Sequence, residues 1–208
     1  MRALFLYTYR CTKKGNGKDN RRSMHYILAI TYITWFISEV IISRTLRATE
    51  EENITDKRSL KMVWVAAIGS VACSIVLDKI VPIPIFTDEH LRVTGAAVTL
   101  TGMTIRVIAV MTLGRMFTVD ITIRKNHELK TTGIYKHIRH PAYAGLLLGF
   151  YGLGIAFNNW LCLVIIVVPI TVVLINRIRK EEELLVQTFG EEYLKYRKRS
   201  KYFIPYIY

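Results

Sequence analysis

Apolar and polar residues fall into long blocks along this chain. One apolar block runs from about Met24 to Ser43, a second from Leu60 to Val81, where Pro82-Ile83-Pro84 stops it, and a third from Leu91 to Leu113. A shorter fourth block, Ala142 to Phe157, turns at Asn158-Asn159 and returns as a fifth, Trp160 to Ile175, with Pro169 as a predicted kink. Blocks of about 20 apolar residues match the hydrocarbon thickness that a helix must cross. The pattern therefore predicts an all-α integral membrane helical bundle of about five transmembrane helices. The fourth block covers about 24 Å at 1.5 Å per residue, less than the roughly 30 Å core, so flanking residues must make up the difference. Its Gly145, Gly149, Gly152 and Gly154 let another helix approach closely.

The polar blocks divide the chain further: a basic segment 1–23, a three-helix segment 24–113, and a region 114–208 that holds a membrane hairpin and a C-terminal helix. Ala3 to Tyr7 is too short to span a bilayer or to act as a signal core. The 44–61 loop, the 114–141 loop and the chain beyond Ile175 carry 19 Lys and Arg, whereas the turns 82–90 and 158–159 carry none, which places the first set on the cytoplasmic side. Residues 1–23 break this rule with seven basic residues, and Met24 is an alternative start. Two charges fall within spans. Glu39 reads first as an interfacial charge and alternatively as a functional one facing the bundle, and Arg106 either reaches the interface or faces a polar cavity.

Composition fits a membrane protein: 51% hydrophobic residues and a mean hydropathy of +0.26 over 208 residues. The net charge of +13 then reads as a cytoplasmic, lipid-facing excess and not as a nucleic-acid surface, for which there is no binding motif. Cys11, Cys73 and Cys162 are odd in number and widely spaced, which suggests neither a disulfide framework nor a zinc site; no metal is expected.

The polar chemistry concentrates in HELKTTGIYKHIRHPAYAG, residues 127–145, and RIRKEEELLVQTFGEEYLKY, residues 177–196. Pro141 biases His140 away from helical geometry, so a helix starts at the proline with Arg139 and His140 at its mouth. Arg177 and Glu181 share one helical face, continued by Leu185, Phe189 and Tyr193 as packing positions, and Gly190 ends or bends the helix.

RHPAYAG, a hydrophobic hairpin and then EE-x-x-L-x-x-x-FG-x-x-Y-x-x-Y resemble the isoprenylcysteine carboxyl methyltransferase family over the C-terminal 90 or so residues from Leu113, in its prokaryotic, short form. The resemblance implies a cytoplasmic site for S-adenosyl-L-methionine, held by His127, Glu128, Leu129, Lys130, Tyr135, His140, Pro141, Ala142, Tyr143 and Glu181. It also implies that Arg177 faces the carboxylate of a lipophilic, prenylcysteine-like acceptor, with Arg177 and Glu181 as the catalytic pair. Methyl transfer to a carboxylate needs no general base, because an α-carboxyl with a pKa of roughly 3.5 is already ionised. What it needs is alignment, exclusion of water and a cation, and the planar guanidinium suits a carboxylate. The implied setting is a multi-pass membrane protein of the cell inner membrane in a prokaryote or the endoplasmic reticulum in a eukaryote.

Each residue also has a plainer reading: the histidines as interfacial residues, the tyrosines as membrane-belt aromatics, and Glu181 to Glu183 as a solvated helix segment, with Glu182 and Glu183 structural. The rival function is a membrane NADPH-dependent sterol reductase, which shares a similar HP-x-Y turn and tail; a lipid amine methyltransferase is a further alternative. Against the reductase, this chain has RKEEELL and FGEEY where those enzymes resemble R-x-x-RDE and KYG-x-x-W.

Overall fold

A computed structural model describes residues 26, 29–46, 56, 58–86, 90–123 and 128–203. Among them there are helices and no strand, only three isolated bridges. We number the helices α1 (29–45), α2 (Arg58–Ile80), α3 (His90–Leu113), α4 (Pro141–Ala156), α5 (Trp160–Phe189) and α6 (Glu191–Arg199). The segment 1–23 and the Met24 start lie outside the described residues.

Among the described residues three helices, α2, α3 and α5, are long and apolar enough to cross a membrane, and α4 is a shorter apolar helix. Their outer faces carry Val65, Ile75, Met111, Val164, Val168 and Val172, all exposed. The inner face is the more polar one: the buried residues of α2 are Ser59, Ser70 and Ser74. Lipid tails are as apolar as leucine, so helix association in a bilayer relies on close packing and small or polar contacts. This is an integral membrane bundle.

The packing of α3 on α4 shows that rule best. A Cβ added at Gly145 would lie 2.6 Å from the Gly102 carbonyl oxygen and 2.7 Å from the Arg106 nitrogen, so the two backbones touch. Around α4, Trp35, Leu146, Phe150, Ile166, Ile170 and Leu174 form the core, with Trp35 edge-on to Phe150 at 4.9 Å.

At one end the α4–α5 turn clasps the chain after α2. Asn159 caps α5 by accepting from the Leu161 N–H, and its Nδ2 donates to the Val81 carbonyl and to Asp78. At the other end Asp56 caps α2 through the Arg58 and Ser59 N–H groups and takes a 2.6 Å bond from Lys180, which is the main reason its carboxyl sits below the usual range.

Two expectations change. The fifth span does not stop at Ile175: α5 continues through Pro169 and past Ile175 to Phe189, where Gly190 ends it as expected, and runs 30 residues, about 45 Å. Arg177 and Glu181 thus stand on the same rigid helix as the membrane segment. Glu39 is not interfacial. It turns into the bundle and pairs with Arg106 at 2.5 Å, which leaves neither charge alone in an apolar setting.

Candidate active site

The His140-Pro141 turn is held from three sides. Pro141 opens α4, where its missing N–H costs nothing. The C-terminal segment runs alongside the turn: the Lys201 N–H donates to His137, the Arg139 N–H to Lys201 and the His140 N–H to Tyr202. Glu182 closes the third side by accepting from Arg139 Nε at 2.9 Å and contacting His140 Nε2 at 3.1 Å. Arg139 also donates through Nη1 to the Arg197 and Ser200 carbonyls, beneath the ring of Tyr202. Glu182 is buried and does not line the cavity described below; it holds the turn.

Its neighbour Glu181 points elsewhere. Tyr143 donates its hydroxyl to Glu181 Oε2 at 2.7 Å, and Arg177 Nε donates to that same hydroxyl at 2.8 Å. Arg177 spends its remaining nitrogens on Ser59 Oγ, at 2.5 Å, and on the Val119 carbonyl. The open fork expected from the sequence is thus closed by the protein's own groups. All three partners are neutral oxygens. Arg177 is 3% exposed, and no carboxylate among the described residues lies within ion-pair distance of it.

Tyr143, Arg177 and Glu181 line one cavity of about 660 Å³. Its lining joins polar groups, among them Lys130, Tyr135, His140 and Glu181, to apolar side chains of α1, α2 and α4, Trp35, Phe36, Val63, Trp64, Ala67 and Phe150. Leu129 and Ala142 line it too. Glu128 is exposed and Pro141 is packed behind the turn, and neither lines the cavity. His127 lies outside the described residues.

Tyr135 is buried, its hydroxyl 3.4 Å from the Ala109 carbonyl, and burial followed by the charge of Glu181 pushes its phenol well up. Tyr196 donates to the Tyr135 carbonyl at 2.6 Å, and burial pushes it up to about 12. Both stay neutral donors at ordinary pH.

Sequence reasoning missed Ser59, Val119 and Tyr196. A serine at a helix start and a backbone carbonyl leave no motif; only the spacing of Tyr193 and Tyr196, one helical turn apart, marks a buried face.

The match to known proteins follows this geometry. Residues 95–187 match the sequence model of the isoprenylcysteine carboxyl methyltransferase family, a range that contains the turn, Tyr143, Arg177 and both glutamates. Protein-S-isoprenylcysteine O-methyltransferase A of Arabidopsis thaliana is 28% identical over 186 residues, covering 86% of this chain and 92% of that protein. Protein-S-isoprenylcysteine O-methyltransferase B of the same plant is 33% identical over 54% of this chain and 58% of its own length. The Homo sapiens enzyme is 34% identical over 56% of this chain and 42% of itself. A solved structure of a eukaryotic intramembrane Ras methyltransferase, the isoprenylcysteine carboxyl methyltransferase, superposes with a TM-score of 0.59 and 27% identity, covering 71% of this chain and 53% of that one. Apart from the Arabidopsis A protein, the chain spans about half the length of these relatives. On the fold, the motif and these relatives together, the chain is similar to the isoprenylcysteine carboxyl methyltransferase family, most clearly over residues 95–187.

Proposed function

We propose that this protein transfers a methyl group from S-adenosyl-L-methionine to the carboxylate of a lipophilic, prenylcysteine-like acceptor at the cytoplasmic face of its membrane. The observation that carries this reading is the state of Arg177, a buried guanidinium bonded only to neutral oxygens. Its acidic neighbours Glu181 and Asp120 act on it only through space, and a buried charge with no carboxylate in contact is costly, so the site favours an incoming anion. Arg106 in the same cavity is different, since Glu39 already balances it.

The donor set suits the methyl donor. Glu181 bonds Tyr143 through one oxygen and leaves Oε1 without a hydrogen bond among the described residues, an acceptor fit for ribose hydroxyls or an ammonium group. Lys130 is an exposed cation lining the same cavity, with no ion-pair partner among the described residues, and is fit for a carboxylate. The cavity volume lies within the roughly 300–1,000 Å³ typical of small-ligand sites. Leu129, Lys130, Tyr135, His140, Ala142, Tyr143 and Glu181 are the residues that would hold it, with His127, Glu128 and Pro141 added by the family resemblance.

When bound, S-adenosyl-L-methionine supplies an electrophilic methyl on a sulfonium, so a C–S bond breaks as a C–O bond forms and no proton moves. Arg177 draws the acceptor carboxylate by exchanging its neutral Ser59 partner for an anion, a bond roughly twice as strong. Tyr143 keeps the guanidinium and Glu181 in register. The walls from α1, α2 and α4 receive the lipophilic tail and keep water out.

Two assays run in parallel on purified protein test this: labelled-methyl incorporation into a prenylcysteine analogue, and NADPH oxidation with a sterol. Methyl incorporation with no NADPH consumption is expected. NADPH consumption, or methylation of a lipid amine and not of the carboxylate, would replace the proposal.

A further inference from the structure

Two stretches far apart in sequence meet beside the HP turn and bring an unbalanced set of charges with them. Ile138 pairs with Lys201, and the Lys201 N–H donates to the His137 carbonyl at 2.9 Å. This contact joins Lys136 to Lys198, Arg199 and Lys201 at the end of α6. All four are exposed, and none has an ion-pair partner among the described residues. The acids of α6, Glu191 and Glu192, lie in its first turn, at the far end of the helix.

The height of this cluster relative to the bilayer follows from α4. That helix is apolar from its first residue, so the residues just before Pro141 stand where the hydrocarbon ends. The C-terminal segment is tied to those residues by the 137–140 hydrogen bonds, and Tyr193 and Tyr196, both buried, fasten α6 to the same place. The basic cluster therefore sits at headgroup level.

We propose that Lys136, Lys198, Arg199 and Lys201 form a collar for anionic lipid headgroups, and that binding them steadies the backbone bridge that holds Arg139 and His140. Charge complementarity selects the occupant: four uncompensated cations at the bilayer surface meet a leaflet whose own charge is negative, and each contact shifts the equilibrium by about fivefold. Lipid bound across the contact bridges Lys136 on one side and Lys198 or Lys201 on the other. The bridge resists the separation of the tail from the turn, so the composition of the leaflet sets how firmly the mouth of the cavity is held.

Hydrogen exchange on the full chain in lipid nanodiscs tests the collar without relying on catalysis. Protection of the 136–140 and 199–203 amides is expected to rise about fivefold or more on going from phosphatidylcholine alone to phosphatidylcholine with phosphatidylserine. The rise should vanish in Lys136→Gln/Lys198→Gln/Lys201→Gln, whose protection in neutral discs stays at the wild-type level. An equal rise in the triple variant, or none in the wild type, overturns the proposal. So does equal protection by inorganic phosphate, or by an acidic peptide, in neutral discs. If methyl transfer is absent while the exchange response is present, it is the catalytic proposal that fails and not the collar.

Discussion

Replacing Arg177 by lysine separates its charge from its geometry. The guanidinium reaches three oxygens on three different elements: Tyr143 on α4, Ser59 on α2 and the carbonyl of Val119. An ammonium on a flexible stem keeps the positive charge yet cannot hold all three positions while also meeting a carboxylate side-on. Losing one charge-assisted hydrogen bond is worth about 1.5–3 kcal/mol, which corresponds to roughly a tenfold to hundredfold fall in kcat/KM for the acceptor. Affinity for S-adenosyl-L-methionine should change little, because its proposed contacts run through Glu181, Tyr135 and the turn. The measurements are steady-state methylation with varied acceptor, and calorimetric titration of the methyl donor. The reasoning is refuted if Arg177→Lys abolishes methyl-donor binding while acceptor affinity stays intact, since the arginine would then belong to the donor site.

Three other outcomes follow from the same geometry. Glu182→Ala should destabilise the protein by about 3–5 kcal/mol, seen as a lower unfolding temperature in detergent, because it strips Arg139 and His140 of their buried partner; Glu181→Gln should instead weaken methyl-donor binding at nearly unchanged stability. Gly145→Ala should cost about 1–3 kcal/mol, since even one Cβ meets the Gly102 backbone at 2.6 Å, and a substitution at exposed Gly69, where a Cβ meets nothing, is the control. With the Tyr196 phenol pushed from 10.0 up to about 12 in the folded state, its contribution is fully present below pH 10 and is lost as the pH rises toward about 12; Tyr196→Phe should flatten that stretch of an alkaline unfolding curve.

The membrane helices were legible because their signals are local. Apolar runs, Pro82-Ile83-Pro84 and Pro141 mark where α2 ends and α4 begins, within two residues of the observed bounds. The length of α5 was not legible from hydropathy, which reports where a lipid environment ends and not where a hydrogen-bond ladder ends; only Gly190, with φ of +51, terminates it. The four-residue spacing correctly put Arg177 and Glu181 on one face. That Arg177 has its nitrogens taken by Ser59 and Val119 could not be seen, since those contacts cross 118 and 58 residues and involve groups found everywhere in a chain. The Glu39–Arg106 pairing was hidden for the same reason: each charge alone reads either as interfacial or as facing inward, and only their meeting selects the inward reading for both.

The two adjacent glutamates show how one helix serves two ends. Successive side chains on a helix point about 100° apart, so Glu181 and Glu182 cannot face the same neighbour. Glu182 turns toward the 137–140 segment and is consumed by Arg139 and His140; Glu181 turns toward α4 and keeps an oxygen open to the cavity. Because α5 is unbroken from Trp160, both carboxylates are fixed by the same rigid rod that crosses the membrane. Cations near the cavity are likewise divided. Arg106 answers Glu39, Arg139 answers Glu182 and Lys180 answers Asp56, all within the fold. Arg177 is hydrogen-bonded only to neutral oxygens, which orient the guanidinium, while Glu181 and Asp120 act on it through space and not by contact. A buried cation so arranged is already oriented, so under the proposed reading an arriving carboxylate has one neutral partner, the Ser59 hydroxyl, to displace, and a preorganised cation of this kind is where an electrostatic contact contributes most.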